Sequence, residues 1–237
     1  MFNGAVPLIL LATFLRPVVA PYNVAPYNAA PYDEGVFAAD PEGASRAFAL
    51  YLTGMQHANS WSPETIEIEA SLPKLNKHGR LRAIRRMNAA GAADYQVLET
   101  DGDRTVRQQV IARYLSAQVT AAEVPASSVA INPENYQFRY KGIVKLAHTV
   151  AYAFQIKPRK KRQGLIDGEL WLEGKTGAAI RQSGYLVKSP SFFVKHVGIT
   201  RETVLSEGVA QMLLTHLSVD TRLVGMADLT VTESPLR

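Results

Sequence analysis

The sequence predicts an α+β fold, a strongly curved antiparallel β-sheet with two helices against one face. Three observations predict it. Residues 136–232 form a nearly unbroken series of β-type runs separated by short turn segments. Several runs alternate strictly between apolar and polar residues, the pattern of strands with one buried face. Helical spacing is confined to two segments, so the helices are too few to form a layer of their own. About ten candidate strands approach the number at which a twisted open sheet curls.

The 237 residues are 47% hydrophobic and 20% charged, enough to bury a substantial core. Lys plus Arg number 26 against 21 Asp plus Glu, a net charge of +5, which permits contact with an anionic surface without requiring it. The absence of cysteine excludes disulfides, thiolate nucleophiles, Cys-ligated metals and an acylated N-terminal cysteine in this sequence.

The chain divides into residues 1–20, 21–39 and 40–237. The apolar run 7–15 has the length of an export signal and is too short for a bilayer span, which takes about 20 residues. Small residues Val18, Val19 and Ala20 follow it, although Arg16 and Pro21 make the signal irregular. The repeats Ala20-Pro21-Tyr22-Asn23, Ala25-Pro26-Tyr27-Asn28 and Ala30-Pro31-Tyr32-Asp33 predict an extended linker, because closely spaced prolines exclude a helix. A single domain is expected from residue 40.

Asp40-Pro41-Glu42 has the residues of a helix start: a capping carboxylate, proline at the first helical position and an acid near the positive end of the dipole. Ala44, Ala47, Phe48, Tyr51, Leu52 and Met55 then make one apolar stripe. Residues 64–71 alternate, with Ile66, Ile68 and Ala70 on one face. A loop over 72–79 leads to a strand over 80–87, whose Arg80, Arg82 and Arg86 are expected to pair across the hairpin with Glu67 and Glu69. A third strand, 95–99, ends at Asp101-Gly102-Asp103, where Asp103 is placed to cap a helix carrying Val106, Val110, Ile111, Tyr114 and Leu115.

Past Pro133, Tyr136, Phe138 and Tyr140 alternate with Gln137, Arg139 and Lys141, and Val150, Tyr152, Phe154 and Ile156 alternate with Ala151, Ala153 and Gln155. Further strands are expected over 165–173, 178–188, 192–201, 209–219 and 222–232. Trp171 faces away from Leu170 and Leu172, so both sheet faces need cover there.

No catalytic constellation is legible. His57, His78, His148, His196 and His216 lack metal-site spacing, and neither a metal nor a cofactor is expected. Ser183, Ser189 and Ser191 lie outside any G-x-S-x-G elbow. Gly164, Gly168, Gly174 and Gly177 lie where turns between strands are expected. The densest charge cluster is Lys157, Arg159, Lys160, Lys161 and Arg162, readable as a solvated hairpin loop or as a contact with an anionic membrane surface. Nucleic acid is not an expected partner.

The segments Asp101-Gly102-Asp103 with 110–115, Asn135-Tyr136 with Phe138, 157–162, 168–173 and 187–191 resemble exported acidobacterial proteins of uncharacterised function. Those proteins resemble the half-barrel shared by the lipoprotein carrier LolA, its receptor LolB and related envelope lipid carriers. The resemblance implies an incomplete antiparallel barrel, with helices covering the concave face, whose apolar concave side accepts lipid or lipoprotein acyl chains; a periplasmic or otherwise extracytoplasmic, non-enzymatic protein is expected, and a monomer. Ile66, Ile68, Tyr152, Phe154, Leu170 and Leu172 are the expected lining. The chain departs from the family in lacking a lipobox cysteine, in its irregular export signal, in Glu173 where aspartate is common, and in a proline missing from 209–212. The alternative expectation is an envelope interaction protein whose half-barrel is filled by its own side chains and whose basic loop contacts a membrane or partner.

Overall fold

A computed structural model describes residues 36–37, 39–56, 64–87, 93–121, 124–146, 149–190, 192, 194–206, 209–222 and 225–236. The expected signal and nearly all of the linker lie outside these residues, as do His57, His148 and Ser191.

Among the described residues, eleven strands form one sheet in the order β1-β5-β6-β7-β8-β9-β10-β11-β2-β3-β4. They are β1 (Val36–Phe37), β2 (Glu64–Leu72), β3 (Lys77–Met87), β4 (Ala93–Gly102), β5 (Tyr136–Lys145), β6 (Val150–Pro158), β7 (Ile166–Glu173), β8 (Ala179–Leu186), β9 (Val194–Ser206), β10 (Val209–Thr221) and β11 (Gly225–Pro235). Every neighbouring pair is antiparallel. β5 to β11 is a meander. β11 then pairs with β2, so the β2–β3–β4 meander continues the sheet from its far side. β1 and β4 are its two edges among the described residues, and the sheet is a curved, incomplete barrel.

The alternation read from the sequence sets the inner face. Ile66, Ile68 and Ala70 face inward with Leu229 and Val231 of β11, and Tyr152, Phe154 and Ile156 with Leu170 and Leu172 of β7. These residues belong to one core cluster, together with Val197 and Ile199 of β9 and Leu217 and Val219 of β10. Trp171 lies on the opposite face in a smaller cluster with Val144, Ala151, Ala153 and Ile180, so both faces are covered at β7. Arg181 stacks on the Trp171 ring at 4.7 Å.

Helix α1 (Pro41–Gln56) starts where Asp40 Oδ1 accepts the Gly43 amide at 2.9 Å. Its small Ala44 and Ala47, with Tyr51, form the buried face against β6 and β7. Gly177, in the β7–β8 turn, lets the helix close down. Its φ is +70°, and a Cβ there would lie 2.6 Å from Ala47 O, Leu50 Cβ and Tyr51 N.

The second helical segment comprises α2 (Arg104–Val106), a π turn (Arg107–Ile111) and α3 (Ala112–Ala121). Asp103 Oδ1 caps it, accepting from the Thr105 amide at 2.7 Å and the Val106 amide at 3.3 Å. Val106, Ile111 and Tyr114 point into the core over β2, β3 and β4. A short helix, α4 (Ala126–Val129), leads to β5.

Two expectations for the first hairpin are revised. Lys77 already pairs with Leu72 around a 3₁₀ turn at Pro73–Leu75, so the loop expected over 72–79 is only a tight turn. Arg82 pairs with Glu67 at 3.4 Å as expected, but Arg80 bonds Glu99 at 3.1 Å and Arg86 bonds Gln96 at 2.8 Å. The strand expected over 95–99 extends across 93–102 and offers β3 a second set of cross-strand partners.

Candidate functional site

The concave interior is the candidate site. Ile66, Ile68, Tyr152, Phe154, Leu170 and Leu172 are brought into one cluster, and none is more than 6% exposed. β6 and β2, which supply four of them, are separated by five intervening strands, so the cluster spans much of the sheet.

Under α1 the interior is aromatic. Phe48 meets Phe138 edge-on at 4.7 Å and Phe154 at 5.5 Å, and Tyr140 lies 5.7 Å from Phe154 and 6.3 Å from Tyr152. Polar tips of these rings fix the helix. Tyr152 donates its hydroxyl to Asp40 Oδ2 at 2.7 Å, the Asp40 amide donates to Tyr140 Oη at 3.3 Å, and Tyr51 donates to the Ile131 carbonyl at 2.9 Å. The Gly43 amide and Tyr152 hydroxyl hold the Asp40 carboxyl below its ordinary pKa. The bond to Asp40 raises the Tyr152 hydroxyl, and burial raises that of Tyr51.

The other roofed region is polar. Arg85 on β3 bonds both Glu64 on β2 and Glu233 on β11, with little of any of the three side chains exposed. Burial disfavours the Arg85 cation, but the two carboxylates outweigh it and hold the guanidinium charged. On β9, burial lowers the Arg201 pKa, opposed by nearby Tyr114 and Glu233. Burial also raises the Tyr114 hydroxyl. Gln182, in register with Arg201, is buried, and its Nε2 meets no hydrogen-bond partner among the described residues.

Sequence reasoning missed this polar region although the signal was present. Glu64 is in phase with Ile66 and Ile68, Glu233 with Leu229 and Val231, and Arg201 with Val197 and Ile199.

The basic cluster divides by role. Arg159 Nε donates to the carbonyls of Pro133 at 2.8 Å and Tyr136 at 3.2 Å, and Arg162 Nη2 donates to Asn135 Oδ1 at 2.6 Å. These two arginines tie the β6–β7 loop to the segment entering β5. Lys157, Lys160 and Lys161 are exposed. The core cluster and the basic cluster are separate places in the fold.

Among the described residues, no group of three or more His, Asp or Glu is arranged to hold a metal ion, and no helix is long and apolar enough to cross a membrane. The remaining histidines are dispersed: His196 packs on Tyr185, and His216 Nδ1 lies 3.1 Å from Thr230 Oγ1.

The fold and its lined interior define an α+β half-barrel with a roofed concave face. No known family's sequence model matches the chain, and no curated protein matches it. Among solved structures it is similar to a LolA superfamily protein from Nitrosomonas europaea, at 10% identity and a TM-score of 0.38, over 82% of this chain and 93% of that one. It is also similar to a domain assigned to outer-membrane lipoprotein sorting from Vibrio parahaemolyticus, at 12% identity and a TM-score of 0.36, over 83% of this chain and 90% of that one.

Proposed function

We propose that the protein is a non-enzymatic, extracytoplasmic carrier that holds acyl chains of a lipid or lipoprotein between the concave sheet and its helical roof. The observation that carries this reading is the construction of that roof. α1 rests on β6 and β7, whereas α2 and the π turn rest on β2, β3 and β4. The apolar inner face continues between them on β9, β10 and β11 through Ile199, Leu217 and Leu229. A chain entering between the two helical pieces meets Tyr152, Phe154, Leu170 and Leu172 on one side and Ile66 and Ile68 on the other. Such a binder acts as a monomer in the periplasm, needs no cofactor and has no use for nucleic acid.

The test is native mass spectrometry of the purified protein followed by organic extraction, with titration of a fluorescent fatty acid. Co-purified acyl lipid or saturable uptake supports the carrier. A protein that is empty and shows no saturable uptake ends this reading.

A second reading, a self-filled half-barrel acting as an envelope interaction protein, is favoured by a different observation. The six lining side chains are already buried by their neighbours, and three hydrogen bonds hold the Asp40 and α1 region to the sheet and the segment before β5. In that case the exposed lysines of the β6–β7 loop contact a partner or an anionic membrane surface. Charge reversal of Lys160 and Lys161 then abolishes association, and an unchanged salt-dependent binding curve counts against it.

A further inference from the structure

Antiparallel pairing places the β2–β3, β6–β7, β8–β9 and β10–β11 connections at one end of the sheet. Contacts join neighbouring connections in series. The Val187 amide donates to Leu165 O at 3.0 Å, linking β8–β9 to β6–β7. Arg222 Nε donates to Phe192 O at 2.9 Å, linking β10–β11 to β8–β9. Lys74 lies over Gly225, where a Cβ would approach its Cδ to 2.6 Å, linking β2–β3 to β10–β11. The four loops therefore form one continuous rim.

Its connections carry a single sign of charge. The charged residues of the four connections are Lys74, Lys188, Arg222 and those of the 159–162 run, and all are cations. Nearby carboxylates are partly neutralised, with Asp103 paired to Lys77 at 3.2 Å and Asp220 to Lys195 at 3.6 Å. Asp101, Glu134 and Asp167 stand at the same end and reduce the excess without cancelling it. Apolar side chains project among the cations: Phe192 is 76% exposed, Leu75 48% and Met226 40%. The Arg222 guanidinium lies 4.8 Å from the centre of the Phe192 ring.

A polyanion such as nucleic acid accounts for the cations but gains little from exposed leucine and methionine. A bilayer accounts for both, since aromatic rings settle at the headgroup level while neighbouring cations meet lipid phosphates. We propose that this rim docks the protein on an anionic lipid bilayer, with Phe192 at the headgroup boundary and Lys74, Lys160, Lys161, Lys188 and Arg222 over the phosphates. The proposal rests on the surface contact of the second reading and extends it from one loop to four. It is independent of whether the interior takes up lipid.

The test is vesicle sedimentation of the full chain, comparing phosphatidylcholine vesicles with vesicles containing about one-third phosphatidylglycerol. Pure phosphatidylcholine gives the baseline that the apolar 7–15 run adds. Binding above that baseline is expected to fall with salt, by roughly fivefold for Lys160→Gln or Arg222→Gln and by at least roughly tenfold for Phe192→Ser. Lys175→Gln, at the opposite end, leaves it unchanged. With Phe192→Trp, the indole emission moves to the blue on the anionic vesicles.

Equal binding to the two vesicle types overturns the proposal. So does loss with Lys160→Gln while Phe192→Ser and Arg222→Gln have no effect and the indole emission does not move; that result leaves the single-loop contact standing. Binding of duplex oligonucleotide that tracks the lysines but ignores Phe192, without anionic-vesicle binding, assigns the rim to a polyanion and also overturns it.

Discussion

Tyr152 of β6 and Asp40, the residue before α1, are joined at 2.7 Å by a hydrogen bond that spans most of the β1–β5 half of the chain. The same carboxylate accepts the Gly43 amide, so a single side chain both starts the helix and fixes its position over the sheet. Any entry of a ligand beneath α1 must contend with this bond.

Asp40→Asn weakens both interactions, and its effect depends on pH. The folded-state pKa of Asp40 is lowered by the Gly43 amide and the Tyr152 hydroxyl. Its ionised form therefore contributes stability in full above the ordinary carboxylate value of about 3.9, and that contribution disappears as pH falls through the lower folded value. Urea midpoints of wild type and variant are expected to differ by a constant amount near neutrality and to converge on acidification. Tyr152→Phe is expected to narrow the same gap, because it removes one of the two donors.

Arg85→Met removes the cation shared by Glu64 and Glu233 and leaves two carboxylates close together with little solvent. Breaking a buried pair in this way costs about 3–5 kcal/mol. Replacing all three residues with apolar side chains of similar volume is expected to recover most of that loss in equilibrium unfolding. A triple variant as unstable as Arg85→Met would show that the network itself, and not unpaired charge, supports this part of the core.

Gly177→Ala forces a side chain against Ala47 and Tyr51 of α1 from a backbone at φ +70°. Overpacking of this kind costs about 1–3 kcal/mol. Amide hydrogen exchange is expected to quicken in α1 and to remain unchanged in the π turn, which rests on β2, β3 and β4. Under the carrier reading the loosened roof also increases fatty-acid uptake.

Glu173 accepts from the Thr149 and Thr176 hydroxyls and from the Lys175 and Thr176 amides. Burial pushes its carboxyl upward, but these donors prevail and its pKa lies below the ordinary value. Glu173→Ala leaves the donors without their acceptor, at about 1–3 kcal/mol by the usual cost of unmet hydrogen bonds. Thermal unfolding near neutral pH checks this, and Glu173→Asp tests whether the shorter carboxylate still reaches the turn.

Period-two alternation made most of the sheet legible. Ile66 and Ile68, and Leu170 and Leu172 around Trp171, lie on the faces their spacing implied. Asp103 caps the second helical segment as its position suggested. The two-residue β1 is too short to show a period. The inward Glu64, Arg85, Arg201 and Glu233 escaped notice because a charged residue usually marks the solvent face, and only mutual pairing within the core makes the reverse tolerable. The rim was likewise partly visible: the run 157–162 stands out in sequence, whereas Lys74, Phe192 and Arg222 join it only through loop contacts.

The pairing of β11 with β2 has a consequence for how the chain acquires its structure. Ile68 faces Val231 across the join, although the two are far apart in sequence. β2 is made early, yet β11, the strand that pairs along its other edge, emerges long after it. Until it arrives, β2 has an unpaired edge and its apolar face lacks one flank. Contacts of such long sequence range slow folding, and the exposed intermediate is prone to associate with other chains. Completion of the sheet at β2 is therefore expected to wait for β11 and to benefit from a chaperone that shields the early hairpin.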